Sequence, residues 1–377
     1  MQSAPARREH VQFADTLRGL AAVSVVISHF YGVYWYQRAA VLGLTRAQGL
    51  SENISVPIYI QWLHLPPVDF GAFGVAVFFL ISGFVIPMSL SRSTGPAFLV
   101  ARLFRIVPTY VVGFLISLAA IYLNTVGQGG VWPTPLSHVF IHMVPGLRDI
   151  LGTTNIDGII WTLEIEMKFY LVCALIAPLF RKGSAAVFLV PAAIVLGIQI
   201  LAYLTAPSMI GLLGRMVFAS EFISFMFVGT AFYYIHAGLL TERAGLLVAS
   251  AIAIGFFSLW TVWPVGVLLA QAWNYAAAFL VFWTAFTFQR YFASNAFTKF
   301  FASISYPLYV VHAVAGYSLL LVLQNIGMRS SLALIVATSF AIGAAYLLHR
   351  FVEKPTQKLA KRLKSRPAVA GQLAPAE

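Results

Sequence analysis

Charged residues are scarce in this 377-residue sequence. Asp, Glu, Lys and Arg make up only 10% of it, against about 25% in an ordinary soluble domain. Hydrophobic residues account for 60%, and long apolar stretches recur from one end of the chain to the other. This composition excludes a typical soluble domain and predicts an all-α, multi-pass integral membrane protein.

Cysteine is nearly absent as well. The single one, Cys173, excludes an intramolecular disulfide framework, and its place in an apolar segment predicts a buried packing role. The sequence also lacks a zinc-type histidine spacing, a phosphate-binding glycine loop, a dinucleotide fingerprint and Gly-x-Ser-x-Gly. The motifs that most directly mark a zinc enzyme, a nucleotide-binding fold or an α/β-hydrolase are therefore missing.

About ten transmembrane helices are predicted, and no internal repeat relates them. The absence of a repeat disfavours the transporter folds that are built from inverted repeats. The predicted spans cover approximately residues 12–35, 69–90, 108–126, 158–181, 185–205, 215–235, 243–261, 265–288, 299–323 and 330–350.

Basic residues collect on one side of these spans. By the positive-inside rule, this asymmetry predicts that both termini are cytoplasmic. The net charge of +12 then reflects topology and attraction to anionic lipid, and nucleic-acid binding is not expected. The predicted outer side keeps Arg38, Arg46, Arg148, Arg215 and Arg329, whereas the inner loops include Arg92, Arg102, Arg105, Arg181, Lys182, Arg243, Arg290 and Lys299.

The chain is expected to form one membrane domain. Residues 1–11 are predicted to be a basic cytoplasmic arm, residues 12–355 the membrane domain, and residues 356–377 a basic, disordered cytoplasmic tail. Within the second outer loop, the segment 135–150 is too short to span and is predicted to be interfacial or re-entrant.

The first span carries a polar seam. Ten residues separate Arg18 from His29, so both side chains share one helix face about 16 Å apart along the axis, and Asp15 lies on nearly the same face. Ionisable side chains at membrane depth are functional candidates by default, and His29 is the candidate general base. The structural alternatives are a packed core histidine, an arginine that snorkels to lipid phosphate, and an aspartate that caps the helix or pairs with Arg18.

A second cationic feature, Arg102-Leu-Phe-Arg105-Ile-Val-Pro108, lies in a predicted inner loop. The i,i+3 spacing puts both guanidinium groups on one face of a helical turn, where they can grip phosphate oxygens. The alternative is a positive-inside anchor.

The fourth span opens with charged residues whose spacing separates two roles. Glu164 and Lys168 stand at i,i+4 with the acid first, the favourable order for an intrahelical pair. Glu166 points about 200° away from Glu164, shares its face with Tyr170 and has no local partner. Glu166 is therefore the functional candidate.

Two further clusters lie near the C-terminus. In the ninth span, Ser305, Tyr309 and His312 fall at i, i+4 and i+7 on one face, a pattern typical of hydrogen bonding between helices. At the end of the last span, Arg350 and Glu353 are expected to pair.

Taken together, these segments resemble the membrane acyltransferase-3 family, the bacterial O-acyltransferases that modify carbohydrates. Each motif alone is weak, but six of them occur in the family's order between about Phe13 and Pro355. They are Asp15-x-Leu-Arg18-Gly with His29, Phe78-Phe-Leu-Ile-Ser-Gly-Phe, Arg102-x-x-Arg105-Ile-x-Pro108, Trp161-Thr-Leu-x-x-Glu166-x-x-Phe-Tyr170, Ile304-Ser-Tyr-Pro-Leu-Tyr-x-x-His312 and Arg350-Phe-x-Glu353-x-Pro355.

The resemblance implies transfer of an acyl group, first of all acetyl, from acyl-CoA to a sugar hydroxyl, with no metal and no permanently bound cofactor. Catalytic roles are expected for His29, Glu166 and Asp15, with Glu166 orienting the His29 imidazole. Either His29 deprotonates the acceptor or it carries the acyl group transiently. Substrate contacts are expected for Arg18, Arg102, Arg105, Tyr170, Ser305, Tyr309 and His312.

The expected partners are acyl-CoA, the lipid bilayer of a bacterial inner membrane, and a carbohydrate, glycolipid or glycosylated small molecule as acceptor. The rival hypothesis is a proton-coupled transporter or exporter in which the same buried residues relay protons.

Overall fold

The computed structural model describes residues 11–47, 54–64, 68–205, 210–262 and 266–365, and this part of the chain is helical without a strand. The α-helices are α1 (Gln12–Ile27), α2 (Tyr34–Tyr36), α3 (Arg38–Thr45), α4 (Ile58–Leu63), α5 (Phe70–Leu90), α6 (Gly95–Asn124), α7 (Leu136–His142), α8 (Arg148–Leu151), α9 (Ile160–Leu175), α10 (Ala177–Arg181), α11 (Val190–Leu204), α12 (Ile210–His236), α13 (Glu242–Val262), α14 (Gly266–Thr287), α15 (Ala296–Val311), α16 (Ala313–Asn325), α17 (Ser330–Leu348) and α18 (Lys354–Ser365). Short 3-10 helices cover Val126–Gln128, Ala185–Leu189 and Gln289–Phe292, and π-helices cover Ser28–Val33 and His349–Glu353.

Seven helical runs of the described chain are long and apolar enough to cross a membrane, or up to eight if the bent pair α15 and α16 forms one span. The chain is therefore a multi-pass membrane protein. The expected total of ten is larger than this count. The predicted fourth span, for example, has only 16 helical residues in α9 before the helix ends at Leu175. The side of the membrane on which the termini lie stays a prediction.

α5 and α12 pack closely against each other. A Cβ on Gly83 would lie 1.8 Å from the Met226 carbonyl oxygen, and one on Gly229 would lie 2.1 Å from the Leu80 carbonyl oxygen. Glycine is needed because the two backbones touch, as at other membrane helix interfaces. α5 also packs against α1, and α1 packs against α15. These four helices frame the candidate site.

The helix that corresponds to the predicted third span, α6, begins earlier than expected. α6 starts at Gly95 and runs past Pro108 as one helix of 30 residues. Arg102 and Arg105 therefore lie inside a helix, and the prediction of a loop with a span that starts at 108 was wrong. The sequence favours that error because proline removes a backbone donor and commonly marks a helix boundary.

Two helices change direction or winding at histidine residues. α1 gives way to the π-helix Ser28–Val33 one residue before His29. π-helical turns are rare and occur frequently at functional sites. The axes of α15 and α16 differ by 71°, and the break between them is at His312.

The predicted pair of Glu164 with Lys168 is not formed. Glu164 instead forms a salt bridge with Arg148, and Lys168 forms one with Asp149. Both partners lie on α8, and all four side chains are largely buried. The intrahelical pair, worth only a few tenths of a kcal/mol, gives way to contacts that tie α8 to α9.

The C-terminal prediction also needs correction. The Glu353 carboxylate accepts a hydrogen bond from His349 Nδ1 at 2.6 Å and one from Gln357, so it does not form the expected pair with Arg350. The tail that was predicted to be disordered is helical as far as Ser365, where α18 ends. Residues 366–377, like residues 1–10 of the predicted N-terminal arm, lie outside the described residues.

A buried polar cluster holds the loop between α6 and α9. His142 Nε2 accepts from the Ile156 backbone N–H at 3.0 Å, so Nδ1 carries the proton and donates to the Tyr110 hydroxyl at 2.8 Å. That hydroxyl donates to Asp157, whose other oxygen accepts from the Ile160 N–H at the start of α9. Burial lowers the pKa of His142 below its ordinary value, and the Asp157 carboxylate partly opposes this shift.

Candidate active site

Two cavities along the first helix contain predicted site residues. The first, here called the arginine cavity, has a volume of about 90 Å³ and is lined by residues of α1, α5, α6, α9 and α15. Three guanidinium groups and one carboxylate give it a net positive charge, which suits a ligand with anionic groups. Its polar lining residues are Arg18, Ser82, Arg102, Arg105, Thr162, Glu166, Tyr170, Ser305, Tyr306 and Tyr309.

Glu166 links two helices inside the arginine cavity. Its carboxylate accepts a hydrogen bond from the Ser82 hydroxyl at 3.0 Å and another from the Tyr170 hydroxyl. The guanidinium carbon of Arg102 lies 5.5 Å from the centre of the Tyr170 ring, within the range of a cation–π contact. The carboxylate therefore ties α5 to α9 beside the arginines.

Glu166 does not orient His29, and that expectation is wrong. The hydrogen bonds of Glu166 lie in the arginine cavity, whereas His29 lines the second cavity. Helical spacing gives the face of Glu166 but not its depth relative to α1. Asp15 is not among the described residues that line either cavity. Its carboxylate lies 3.7 Å from the Arg18 guanidinium, as expected for a pair at i,i+3.

The second cavity, here called the histidine cavity, has a volume of about 360 Å³. None of the described residues that line it is a lysine or an arginine. No group of three His, Cys, Asp or Glu side chains in the described part of the chain could hold a metal ion. The polar lining includes Ser28, His29, Gln37, Asp69 and Gln271, and the aromatic lining consists of Trp161, Phe218, Phe222, Trp260, Tyr275 and Tyr309.

Tyr317 is the hydrogen-bond partner of the His29 ring. His29 Nδ1 lies 2.5 Å from the Tyr317 hydroxyl. When the proton is on Nδ1, the imidazole donates to Tyr317 and the Nε2 lone pair can accept a proton. Tyr317 is fully buried, whereas His29 is partly exposed. The orienting contact that the sequence reasoning assigned to Glu166 is thus made by Tyr317.

His312 packs beside His29 and is not among the described residues that line either cavity. The two ring centres are 4.5 Å apart and the ring planes are nearly perpendicular, at 88°. His312 Nδ1 lies 3.0 Å from the Leu308 carbonyl oxygen and 2.9 Å from that of Tyr309, so it carries a proton. The position of His312 favours support of His29 over the expected substrate contact.

Val75 and Tyr309 line both cavities and form the wall between them. The Tyr309 and Thr162 hydroxyls are joined by a hydrogen bond of 2.7 Å, which holds the tyrosine against α9. The two cavities therefore adjoin at these two side chains.

The structure brings most of the predicted site residues to one place. Sequence reasoning missed Tyr317, Asp69 and Gln271. Asp69 carried a usable signal, since an aspartate before an apolar helix is a typical N-cap, and it accepts from the N–H groups of Gly71 and Ala72. Tyr317 carried no signal in the sequence, because its position depends on the bend between α15 and α16. The predicted residues that line the arginine cavity are Arg18, Arg102, Arg105, Glu166, Tyr170, Ser305 and Tyr309.

Comparisons with known proteins identify the family to which the chain belongs. One relative, Nodulation protein 10 of Rhizobium leguminosarum bv. viciae, is 31% identical over 170 residues, which cover 38% of this chain and 45% of that protein. The chain thus spans less than half the length of this relative. No solved structure matches the chain. A family model described as an acyltransferase domain matches residues 11–350, and the chain therefore belongs to the acyltransferase-3 family.

Proposed function

We propose that this membrane acyltransferase moves an acyl group, in the first instance acetyl, from acyl-CoA to a hydroxyl of a carbohydrate or glycosylated acceptor. One observation carries the proposal: a cationic cavity and a cavity lined by His29 share the wall residues Val75 and Tyr309. Coenzyme A carries phosphate groups and a hydroxyl nucleophile requires a base, so the two cavities match the two substrates.

The arginine cavity binds the donor in this proposal. Arg18, Arg102 and Arg105 hold the phosphate groups of coenzyme A, because planar guanidinium groups bind phosphate oxygens in pairs. Glu166 and Tyr170 fix the cavity wall on which Arg102 lies. The basic residues on the same side of the spans support a cytoplasmic position for this cavity, in a bacterial inner membrane.

His29 performs the proton transfer. The acceptor hydroxyl gives its proton to His29 Nε2 while its oxygen attacks the thioester carbonyl carbon. The C–S bond then breaks, and the sulfur leaves as the coenzyme A thiol with the proton from His29. Tyr317 accepts from Nδ1–H and keeps the ring in place for both steps. In a two-step variant, the acyl group is carried on His29 before the hydroxyl takes it, and this route needs the same residue.

Purified protein with labelled acetyl-CoA and a glycan extract tests the proposal. We expect thioester consumption and a labelled sugar product, identified by mass spectrometry, and we expect His29→Ala to abolish both. Thioester consumption that survives His29→Ala would refute the catalytic assignment. Absence of acyl-CoA binding, together with substrate-dependent proton flux in liposomes, would favour a transporter instead.

A further inference from the structure

We propose that the histidine cavity is the acceptor subsite and holds one neutral pyranose ring, stacked on Trp161 and hydrogen-bonded by Asp69 and Gln271. The inference rests on the proposed function, because it assigns the acceptor of the same reaction. The cavity volume of about 360 Å³ falls in the range of roughly 300–1,000 Å³ that is usual for small-molecule pockets. His29 lines the same cavity, which brings a ring hydroxyl beside the base.

Asp69 offers an acceptor oxygen to such a ring. Its Oδ1 accepts from the N–H groups of Gly71 and Ala72 at 2.8 and 3.1 Å, and from the Ser28 hydroxyl at 3.1 Å. These bonds cap α5 and fix the carboxylate at the cavity. All of them fall on one oxygen, so Oδ2 is left to accept from a ligand hydroxyl.

Gln271 offers the complementary donors. Its side-chain oxygen accepts from Asn274 Nδ2 at 3.3 Å, and the Asn274 oxygen accepts from the Asp69 backbone N–H at 2.8 Å. Because the oxygen of Gln271 is engaged in this way, its NH₂ group is left for a ligand. An acceptor and a donor joined through Asn274 suit two neighbouring hydroxyls, each of which can donate and accept.

Trp161 provides the apolar surface. Phe222 and Trp260 also line the cavity, but they are only 2% and 3% exposed, whereas Trp161 is partly exposed. A pyranose ring presents C–H groups on its faces, and these pack against an aromatic plane while the hydroxyls at its edge reach polar side chains. Trp161 lies at the start of α9, two residues after Ile159, whose carbonyl oxygen accepts from the Tyr309 hydroxyl at 3.4 Å.

The charge of the lining selects a neutral ring. Asp69 supplies the carboxylate of the cavity lining. The described lining contains no lysine or arginine to pair with an anionic acceptor. An unpaired buried anion is costly. A simple aliphatic alcohol, in turn, would leave Asp69 and Gln271 without partners.

Saturation-transfer difference NMR on the full chain measures this binding without any acyl donor. The probes are the methyl pyranosides of glucose, galactose, mannose, fucose and rhamnose, and the protein is held in lipid nanodiscs because glycoside detergents carry the same ring. We expect ring-proton signals from at least one pyranoside. The uronide of the same ring is expected to bind about tenfold more weakly or worse, because its carboxylate meets Asp69.

Two variants and one control place the ring in the cavity. Asp69→Asn keeps the helix cap, since asparagine caps as well as aspartate, but removes the charged acceptor. Trp161→Ala removes the stacking surface. Each is expected to weaken binding about tenfold. The control is Trp273→Ala, because Trp273 on α14 is 71% exposed and does not line the cavity.

The outcomes separate this inference from the proposed function. No signal from any pyranoside, or signals that Asp69→Asn and Trp161→Ala leave unchanged, would overturn the acceptor subsite even if acetyl-CoA is consumed in a His29-dependent way. Pyranoside binding that depends on Asp69 and Trp161, in a protein that does not bind acyl-CoA, would support the subsite and overturn the proposed donor.

Discussion

The two cavities along α1 differ in size and in charge. The arginine cavity holds about 90 Å³ and is lined by Arg18, Arg102, Arg105 and Glu166, whereas the histidine cavity holds about 360 Å³ and is lined by aromatic and neutral polar side chains with one carboxylate. The first suits recognition by charge, and the second suits recognition by shape and hydrogen bonds. The difference teaches that a single helix can line two cavities of different chemistry, and under the proposed function one of them binds the donor and the other holds the reacting groups.

The backbone of α1 differs between the same two places. At Arg18 the helix is a regular α-helix, and at His29 it is π-helical. Arg18 lines its cavity together with residues of α5, α6, α9 and α15. His29 instead meets Tyr317 and His312 across the break between α15 and α16. Changes at one end of α1 are therefore expected to leave the function of the other end intact.

His29→Ala is expected to have the largest effect. Loss of the general base lowers kcat for acyl transfer by about 10²- to 10⁴-fold. The KM for acetyl-CoA stays within about twofold of the wild-type value, because the arginine cavity is unchanged. Steady-state kinetics on the reconstituted protein measure both constants. A KM that rises as steeply as kcat falls would break the separation of the two cavities.

Arg102→Ala and Arg105→Ala are expected to have the opposite effect, on the KM for acetyl-CoA and not on kcat. Each loses charge-assisted hydrogen bonds worth about 1.5–3 kcal/mol, so the KM for acetyl-CoA rises about 10- to 100-fold while kcat changes little. The matched control is Arg92→Ala, because Arg92 is an exposed arginine in the connection before α6. A KM that does not move in either variant would remove the donor from this cavity.

Tyr317→Phe tests whether the Tyr317 hydroxyl positions His29. The variant keeps the ring but loses the hydroxyl that lies 2.5 Å from His29 Nδ1. We expect kcat to fall about tenfold with KM unchanged, because the imidazole is no longer held in one orientation. Tyr291→Phe is the control, since Tyr291 is 71% exposed. An equal fall in both variants, or a rise in KM alone, would contradict a positioning role.

Val75→Ala tests the wall between the cavities. A smaller side chain at the shared wall is expected to raise kcat/KM for butyryl-CoA relative to acetyl-CoA by about five- to tenfold, the worth of one or two methylene groups. Val100→Ala, at a 44% exposed position on α6, serves as the control. If the ratio of the two donors stays the same, the acyl group does not pass Val75.

The smallest expected effect concerns stability outside both cavities. Burial lowers the pKa of His142 in the folded chain, so the unfolded chain takes up a proton first as the pH falls below the ordinary value of 6.5. The stabilisation that neutral His142 contributes is fully present above pH 6.5. It is lost as the pH falls from 6.5 to the lower pKa of His142 in the folded state. We expect Tm to drop by a few degrees over this window.

Thermal melting of His142→Gln at several pH values checks the effect. The variant is expected to lose this part of the pH dependence, whereas His64→Gln, at an exposed position, is expected to keep it. Melting curves of His142→Gln and the wild type that respond equally to pH would show that another group is responsible.

The arginine cavity could be predicted from the sequence to a large extent. Arg102 and Arg105 share one face of a helical turn, and Glu166 shares a face with Tyr170, so local spacing alone sets these groups. Their meeting with Arg18 in one cavity depends on tertiary packing, which spacing does not give. Spacing did not give the depth of Glu166, which is why its contact with His29 was wrongly expected.

The histidine cavity could not be predicted in the same way. Only His29 stood out, because an ionisable residue in an apolar span is conspicuous. Its partner Tyr317 looks like any buried aromatic in the sequence, and the contact needs both the π-helix and the 71° bend. Asp69 caps α5 and Gln271 lies on α14, far apart in sequence, and only tertiary packing joins them through Asn274.

Titration of acetyl-CoA into His29→Ala protein tests the division between the two cavities most directly, because this variant is expected to consume the ligand at least about 100-fold more slowly than the wild type. We expect an affinity equal to that of the wild type, and an affinity at least about tenfold weaker when Arg102→Ala and Arg105→Ala are added. Binding that is lost with His29 alone, or that persists without the two arginines, would contradict the assignment of the donor to the arginine cavity.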